Sequence, residues 1–166
     1  MDRDVSVLIS DLSSSETGVR SSAAEALSRL GDDACGAAVP LARCAGDDNE
    51  EVREWAAAAL EELGPPSASD LESLVELLAV EAPDVAYWSA TLIGRLGERA
   101  VAAVSALCSA LEADRPVIVR ERAAWALGRI GQSAGETAIA ALNKAANESK
   151  PRLSRLAQRA LDRISG

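Results

Sequence analysis

A fourteen-residue segment recurs five times in this chain without a gap. The copies are GVRSSAAEALSRLG from Gly18, EVREWAAAALEELG from Glu51, DVAYWSATLIGRLG from Asp84, IVRERAAWALGRIG from Ile118 and RLSRLAQRALDRIS from Arg152. Their starts lie 33, 33, 34 and 34 residues apart. A constant period of that length marks a tandem array of supersecondary units, each too thin to bury its own apolar face. We count positions from the first apolar residue of each copy as zero. Core side chains then fall at 0, 4, 7, 8 and 11, the stripe of a helix with 3.6 residues per turn. In the second copy these are Val52, Ala56, Ala59, Leu60 and Leu63; in the fourth, Val119, Ala123, Ala126, Leu127 and Ile130. Four copies stop on glycine, at Gly31, Gly64, Gly97 and Gly131, where a left-handed residue is expected to end the helix.

A shorter apolar set precedes each copy: Val5, Leu8, Ile9, Leu12; Ala38, Leu41, Ala42, Ala45; Leu71, Leu74, Val75, Leu78; Val104, Leu107, Cys108, Leu111; and Ala138, Ala141, Leu142, Ala145. The unit is therefore helix, turn, helix, about ten helices in all. One repeat domain is expected over 1–166, with units 1–31, 32–64, 65–97, 98–131 and 132–166. Pro40 must lie in the first turn of its helix, because a prolyl nitrogen donates no hydrogen bond. Gly64-Pro65-Pro66 reads as a turn between units. Small residues at position 5 (Ala24, Ala57, Ala90, Ala124, with Gln158 departing) and at position 9 (Gly94, Gly128) let neighbouring backbones approach. The two ends of the stack need polar cover. Asp2, Arg3, Asp4, Ser6, Ser10, Asp11 and Ser13 supply it at the front, and Arg155, Arg159, Asp162 and Arg163 at the back.

Composition agrees with an all-α array. Apolar residues are 48% of the chain, but aromatics only 2%, so the core is made of Ala, Leu, Val and Ile. Such side chains suit closely packed helices better than sheets. Histidine is absent, which removes the commonest general base and the commonest metal ligand. Cys35, Cys44 and Cys108 form no CxxC pair, so neither a disulfide framework nor a zinc site is expected. A net charge of −9 argues against nucleic-acid binding by the whole chain. The acidic start and the lack of a long apolar run argue against a leader or membrane span, and point to a cytoplasmic protein.

VRERAAWALGRIG and the GERAVAAVSALCSAL before it resemble HEAT-like repeats of the short, phycobilisome-lyase type, and the similarity covers nearly the whole chain. The resemblance implies a right-handed α-solenoid of five two-helix repeats with the second helices on its concave side. Its Val-Arg dipeptide stands at Val19-Arg20, Val52-Arg53 and Val119-Arg120. Ala86 and Ser154 depart from it, so an arginine ladder along the array is expected to break in the third and fifth units. Activity is not implied, because the repeat serves scaffolds, chaperone-like subunits and a few enzymes.

No catalytic residue, metal ligand or cofactor is assigned. Cys108 sits in a column otherwise held by Ile9, Val75 and Leu142 and reads as a core residue; Cys44 flanks the stripe and Cys35 lies where a helix begins. The acids at Asp47-Asp48-Asn49-Glu50-Glu51 read as capping and dipole charges rather than a calcium loop.

The expected function is a non-catalytic scaffold that binds a protein or peptide on the concave face. The alternative is a bilin-lyase-like or phycobilisome-turnover subunit that holds a tetrapyrrole. On the concave face Tyr87 at position 2 and Trp125 at position 6 should be diagonal neighbours, with units roughly 10 Å apart. The candidate set is Tyr87, Thr91 and Arg95 on the third unit with Glu121, Trp125 and Arg129 on the fourth. Trp55 and Trp88 share position 3, beside the core, and are expected to pack between layers. Charge is separated along the array: Gly46 to Asp84 holds twelve acids and one base, whereas Arg115 to Gly166 holds ten bases and four acids. That separation can orient a partner, or set one molecule's basic end against another's acidic middle in weak self-association.

Overall fold

Five times the chain makes a short helix, turns and makes a longer one. The computed structural model describes residues 4–166, so Asp2 and Arg3 lie outside it. The pairs are α1 (Val5–Asp11) and α2 (Thr17–Ser28), α3 (Ala38–Cys44) and α4 (Glu50–Glu62), α5 (Leu71–Leu78) and α6 (Pro83–Leu96), α7 (Val104–Ala110) and α8 (Val117–Ile130), and α9 (Gly135–Ala146) and α10 (Pro151–Ser165). No strand occurs among the described residues. Turns of 3-10 helix at Gly31–Ala37, Ala68–Asp70, Gly97–Ala103 and Gly131–Ala134 lead into the short helices. Asp4 and Asn49 cap α1 and α4, and Pro83 and Pro151 stand in the first turns of α6 and α10, where a missing N–H costs nothing. Pro40 lies in the first turn of α3.

The apolar stripes meet in one continuous core of mainly Ala and Leu, and the long helices stack: α2 on α4, α6 on α8, α8 on α10. Glycine sets the spacing. A Cβ on Gly128 would lie 3.0 Å from the Cα of Ala160, and one on Gly94 would lie 3.1 Å from the Cα of Ala126. Position 9 of one helix thus rests on position 7 of the next.

One junction breaks that pattern. The same register would set Glu61 toward Leu92, where the other junctions set Ser28, Gly94 and Gly128 toward Ala59, Ala126 and Ala160. Two large side chains replace a small pair. Accordingly α4 and α6 make no comparable contact, and α6 leans instead on α3. Arg95 ties the junction, donating from its guanidinium to the carbonyls of Leu60 (2.7 Å), Leu63 and Glu61 at the end of α4.

Gly64 departs from the sequence reading. Gly31, Gly97 and Gly131 have positive φ (53°, 59° and 69°), but Gly64 does not; the fourth left-handed glycine is Gly135, at 68°. Leu63 already leaves α4 in an extended conformation, and Pro65 disfavours helical backbone at the residue before it. A Cβ there would lie 2.5 Å from Asp32 Oδ1, the tip of an exposed side chain that can turn away.

The arginine ladder is not simply broken either. Arg20 forks onto Asp47 (2.7 and 2.9 Å) and caps the Ser14 and Ser15 carbonyls. Arg53 caps those of Asp47 and Asp48. Arg120, only 1% exposed, donates to Leu111 O (2.8 Å) and forks onto Glu148. Where Ala86 lacks a guanidinium, Arg115 of the next unit reaches back to Leu78 O (2.8 Å) and Val80 O. In the fifth unit the Ser154 hydroxyl donates to Ala146 O (2.6 Å). Every turn within a unit thus has a side chain closing its carbonyls, three by the expected arginine and two by substitutes.

Asp47 and Glu148 occupy equivalent turns, five residues before position 0. The arginine that donates to each holds its carboxyl below the usual value. A depressed carboxyl contributes stability above its ordinary range, and that contribution disappears as pH falls through the folded value. Urea midpoints should therefore fall on acidification below about pH 4. The Asp47→Asn, Glu148→Gln double variant should be less stable at neutral pH and show a shallower acid slope. An unchanged slope would remove the assignment.

Candidate functional site

The long helices α6, α8 and α10 present position 3 and its neighbours on one surface. Trp88 at position 3 is buried and Trp55 half-buried, both packed against the core, as expected of inter-layer rings. In the fourth unit the same position holds Arg122. Its guanidinium lies 4.4 Å from the Tyr87 ring centroid and 5.2 Å from that of Trp125, and it donates to the Tyr87 hydroxyl. Tyr87 meets Trp88 edge-on at 5.3 Å. Such cation–π contacts fix long side chains that would otherwise be mobile. The Trp125 ring is half-buried and covers Gly94, where any side chain would collide with it.

Trp125 divides two clefts. One, of about 70 Å³, is lined by Tyr87, Ile118, Glu121, Arg122, Arg152 and Leu156. The other, of about 150 Å³, is lined by Gly128, Leu156, Arg159, Ala160 and Arg163. Gly128 and Ala160 form part of the lining of the second cleft, where α8 and α10 approach closely. A larger hollow of about 380 Å³ lies between α5 and α7 on the opposite side, with aliphatic walls and Arg115, whose guanidinium is engaged by carbonyls.

The six residues singled out from sequence fall into two groups. Tyr87, Trp125 and Glu121 surround the smaller cleft, Glu121 paired with Arg152 at 3.1 Å. Arg129 is exposed nearby on α8. Thr91 and Arg95 are placed otherwise. Thr91 is 4% exposed and its hydroxyl donates to Tyr87 O (2.9 Å), a bond open to a threonine inside a helix. Arg95 closes the end of α4; burial, then the nearby charge of Arg122, lowers its pKa. Thr91 offers no free surface, and Arg95 is half-buried with its guanidinium engaged. Sequence reasoning missed Arg122, Leu156, Arg152 and Arg159. The signal was present, since position 3 reads Ser22, Trp55, Trp88, Arg122, Leu156 and holds a bulky side chain in four of five units.

The three thiols are free. Cys44 is buried, and burial pushes its pKa up to about 11. Cys108 is half-buried rather than fully enclosed, its Sγ 3.8 Å from Thr137 O, and burial raises its pKa too. Cys35 Sγ lies 2.7 Å from Asp32 O. Among the described residues no group of three or more Cys, Asp or Glu is placed to hold a metal ion, and no helix is long and apolar enough to cross a membrane.

Stacked two-helix units with paired arginine-closed turns define an all-α solenoid of tandem repeats. A family model for HEAT repeats matches residues 5–82 and 71–162, and the chain belongs to that family. Solved structures agree on the fold. An engineered protein is 24% identical over 97% of this chain and 79% of its own, with a TM-score of 0.67. A designed armadillo repeat protein in complex with the peptide (KR)4 is 22% identical over 96% and 81%, with a TM-score of 0.70. A computationally designed armadillo repeat protein for modular peptide recognition gives 21%, 98%, 82% and 0.65 in the same order. No curated protein matches the chain.

Proposed function

We propose that this chain is a non-catalytic interaction module that takes a protein or peptide on the face built by α6, α8 and α10. The observation that carries this reading is the Arg122 guanidinium between the Tyr87 and Trp125 rings, a preorganised aromatic platform with a cleft on each side of Trp125. Half-buried Trp, Tyr and Arg are the residue types that anchor interfaces. Designed armadillo arrays of the same architecture take peptides, which lends the reading support. Three free cysteines suit a reducing compartment such as the cytoplasm. The tetrapyrrole alternative finds less support, since both clefts beside Trp125 are well below the roughly 300 Å³ of a drug-sized pocket.

The test is affinity capture of partners from cells of the source organism. Trp125→Ala and Tyr87→Ala should each weaken capture by roughly tenfold or more, with the helical circular dichroism unchanged. Gly94→Ala should act in the same direction without deleting an anchor, because the added methyl displaces the Trp125 ring. Normal capture by all three variants would refute the site.

A further inference from the structure

We propose that the partner segment docked between α8 and α10 is an acidic peptide bearing an apolar anchor side chain; this rests on the peptide-binding reading above and names its chemistry. The cleft of about 150 Å³ has the small residues Gly128 and Ala160 in its lining, with Trp125 and Leu156 as apolar walls. A space of about that volume has room for a benzene-sized group. The open cleft therefore suits one Leu, Ile or Phe side chain against Trp125 and Leu156, with its arginine side left polar.

Charge selects what surrounds that anchor. Arg159 and Arg163 line the cleft one helical turn apart, and both are exposed. Across Trp125, the Arg122 guanidinium is held by rings rather than by a carboxylate. Among the described residues these three arginines form no ion pair. Guanidinium groups not paired with an internal carboxylate bind carboxylates by short, charge-assisted and often bidentate hydrogen bonds. The chain as a whole is −9, so the attraction is local to this face and not a general property of the molecule. A basic peptide meets repulsion here. A polyphosphate would meet the same arginines but carries no apolar group to fill the cleft.

The experiment selects binders to the full chain from a random peptide display library, then measures their affinity by fluorescence anisotropy. Enriched sequences should be net acidic with at least one large apolar residue. Their affinity should fall roughly tenfold or more with Arg159→Glu/Arg163→Glu, and similarly with Trp125→Ala, while both variants keep wild-type circular dichroism. Neutral or basic winners, no enrichment at all, or acidic winners indifferent to the charge reversal would overturn the proposal. So would displacement of the peptide by oligothymidylate at matched charge, which would assign the face to polyphosphate. If the library fails while capture of a cellular partner still requires Trp125, only the charge assignment falls. If capture is indifferent to Trp125 and Tyr87, the docking reading falls with it.

Discussion

Replacing Arg120 by alanine should lower the stability of the array by about 3 kcal/mol, among the largest losses open to a single side chain. Arg120 is the largest fully buried side chain of the molecule. Its removal deletes buried packing, leaves Leu111 O without its donor and releases Glu148 from the turn before α10. Arg120→Met keeps most of the volume and should cost less, separating the packing loss from the loss of hydrogen bonds. In thermal unfolding of a chain this size, about 3 kcal/mol corresponds to a fall of roughly 6–12 °C in the midpoint. Arg20 closes the matching turn in the first unit but is more exposed, and Arg20→Ala should shift the midpoint less. A shift for Arg120→Ala no larger than for Arg20→Ala would show that burial is not what makes this arginine matter.

Gly128→Val should cost roughly 2–3 kcal/mol by forcing α8 and α10 apart. A single Cβ at this position already lies 3.0 Å from both Cα and Cβ of Ala160, and valine adds two methyl groups beyond it. Alanine should behave differently. Its tight contact is offset by the gain in helix propensity of about 1 kcal/mol over glycine, so Gly128→Ala should come out near neutral. The graded series also reads the surface, because valine should disturb the α8–α10 separation that shapes the cleft beside Trp125 and weaken binding there. Equal unfolding midpoints for the alanine and valine variants would mean that the helices tolerate the extra volume, and that glycine does not set their separation.

Much of this architecture was legible before any coordinates. The 3.6-residue stripe of each copy, the paired helices and the small residues between layers follow from spacing and side-chain size, and both can be read from letters. Gly64 was misread because Leu63 has already left α4 in an extended conformation and Pro65 disfavours helical backbone at the residue before it. The replacement of the missing third-unit arginine by Arg115 has a similar cause: a long side chain from another unit reached the same carbonyls. For the binding face, position alone identified Tyr87 and Trp125. It could not show that Thr91 turns inward to Tyr87 O, or that Arg95 closes α4. Those outcomes depend on which backbone acceptors lie within reach of a flexible or hydroxylated side chain. Arg122 was overlooked because a charged residue at a packing position looks like solvent surface until two rings flank it.

The mismatch of Glu61 with Leu92 has a mechanical consequence. With little seam between α4 and α6, the first two units and the last three are joined chiefly by the packing of α3 on α5 and α6 and by one guanidinium on three carbonyls. Amide exchange in α8 and α10 should therefore report an opening free energy different from that of α2 and α4. Bending of the array should therefore concentrate at this junction rather than between α8 and α10, which Gly128 and Ala160 hold in close contact.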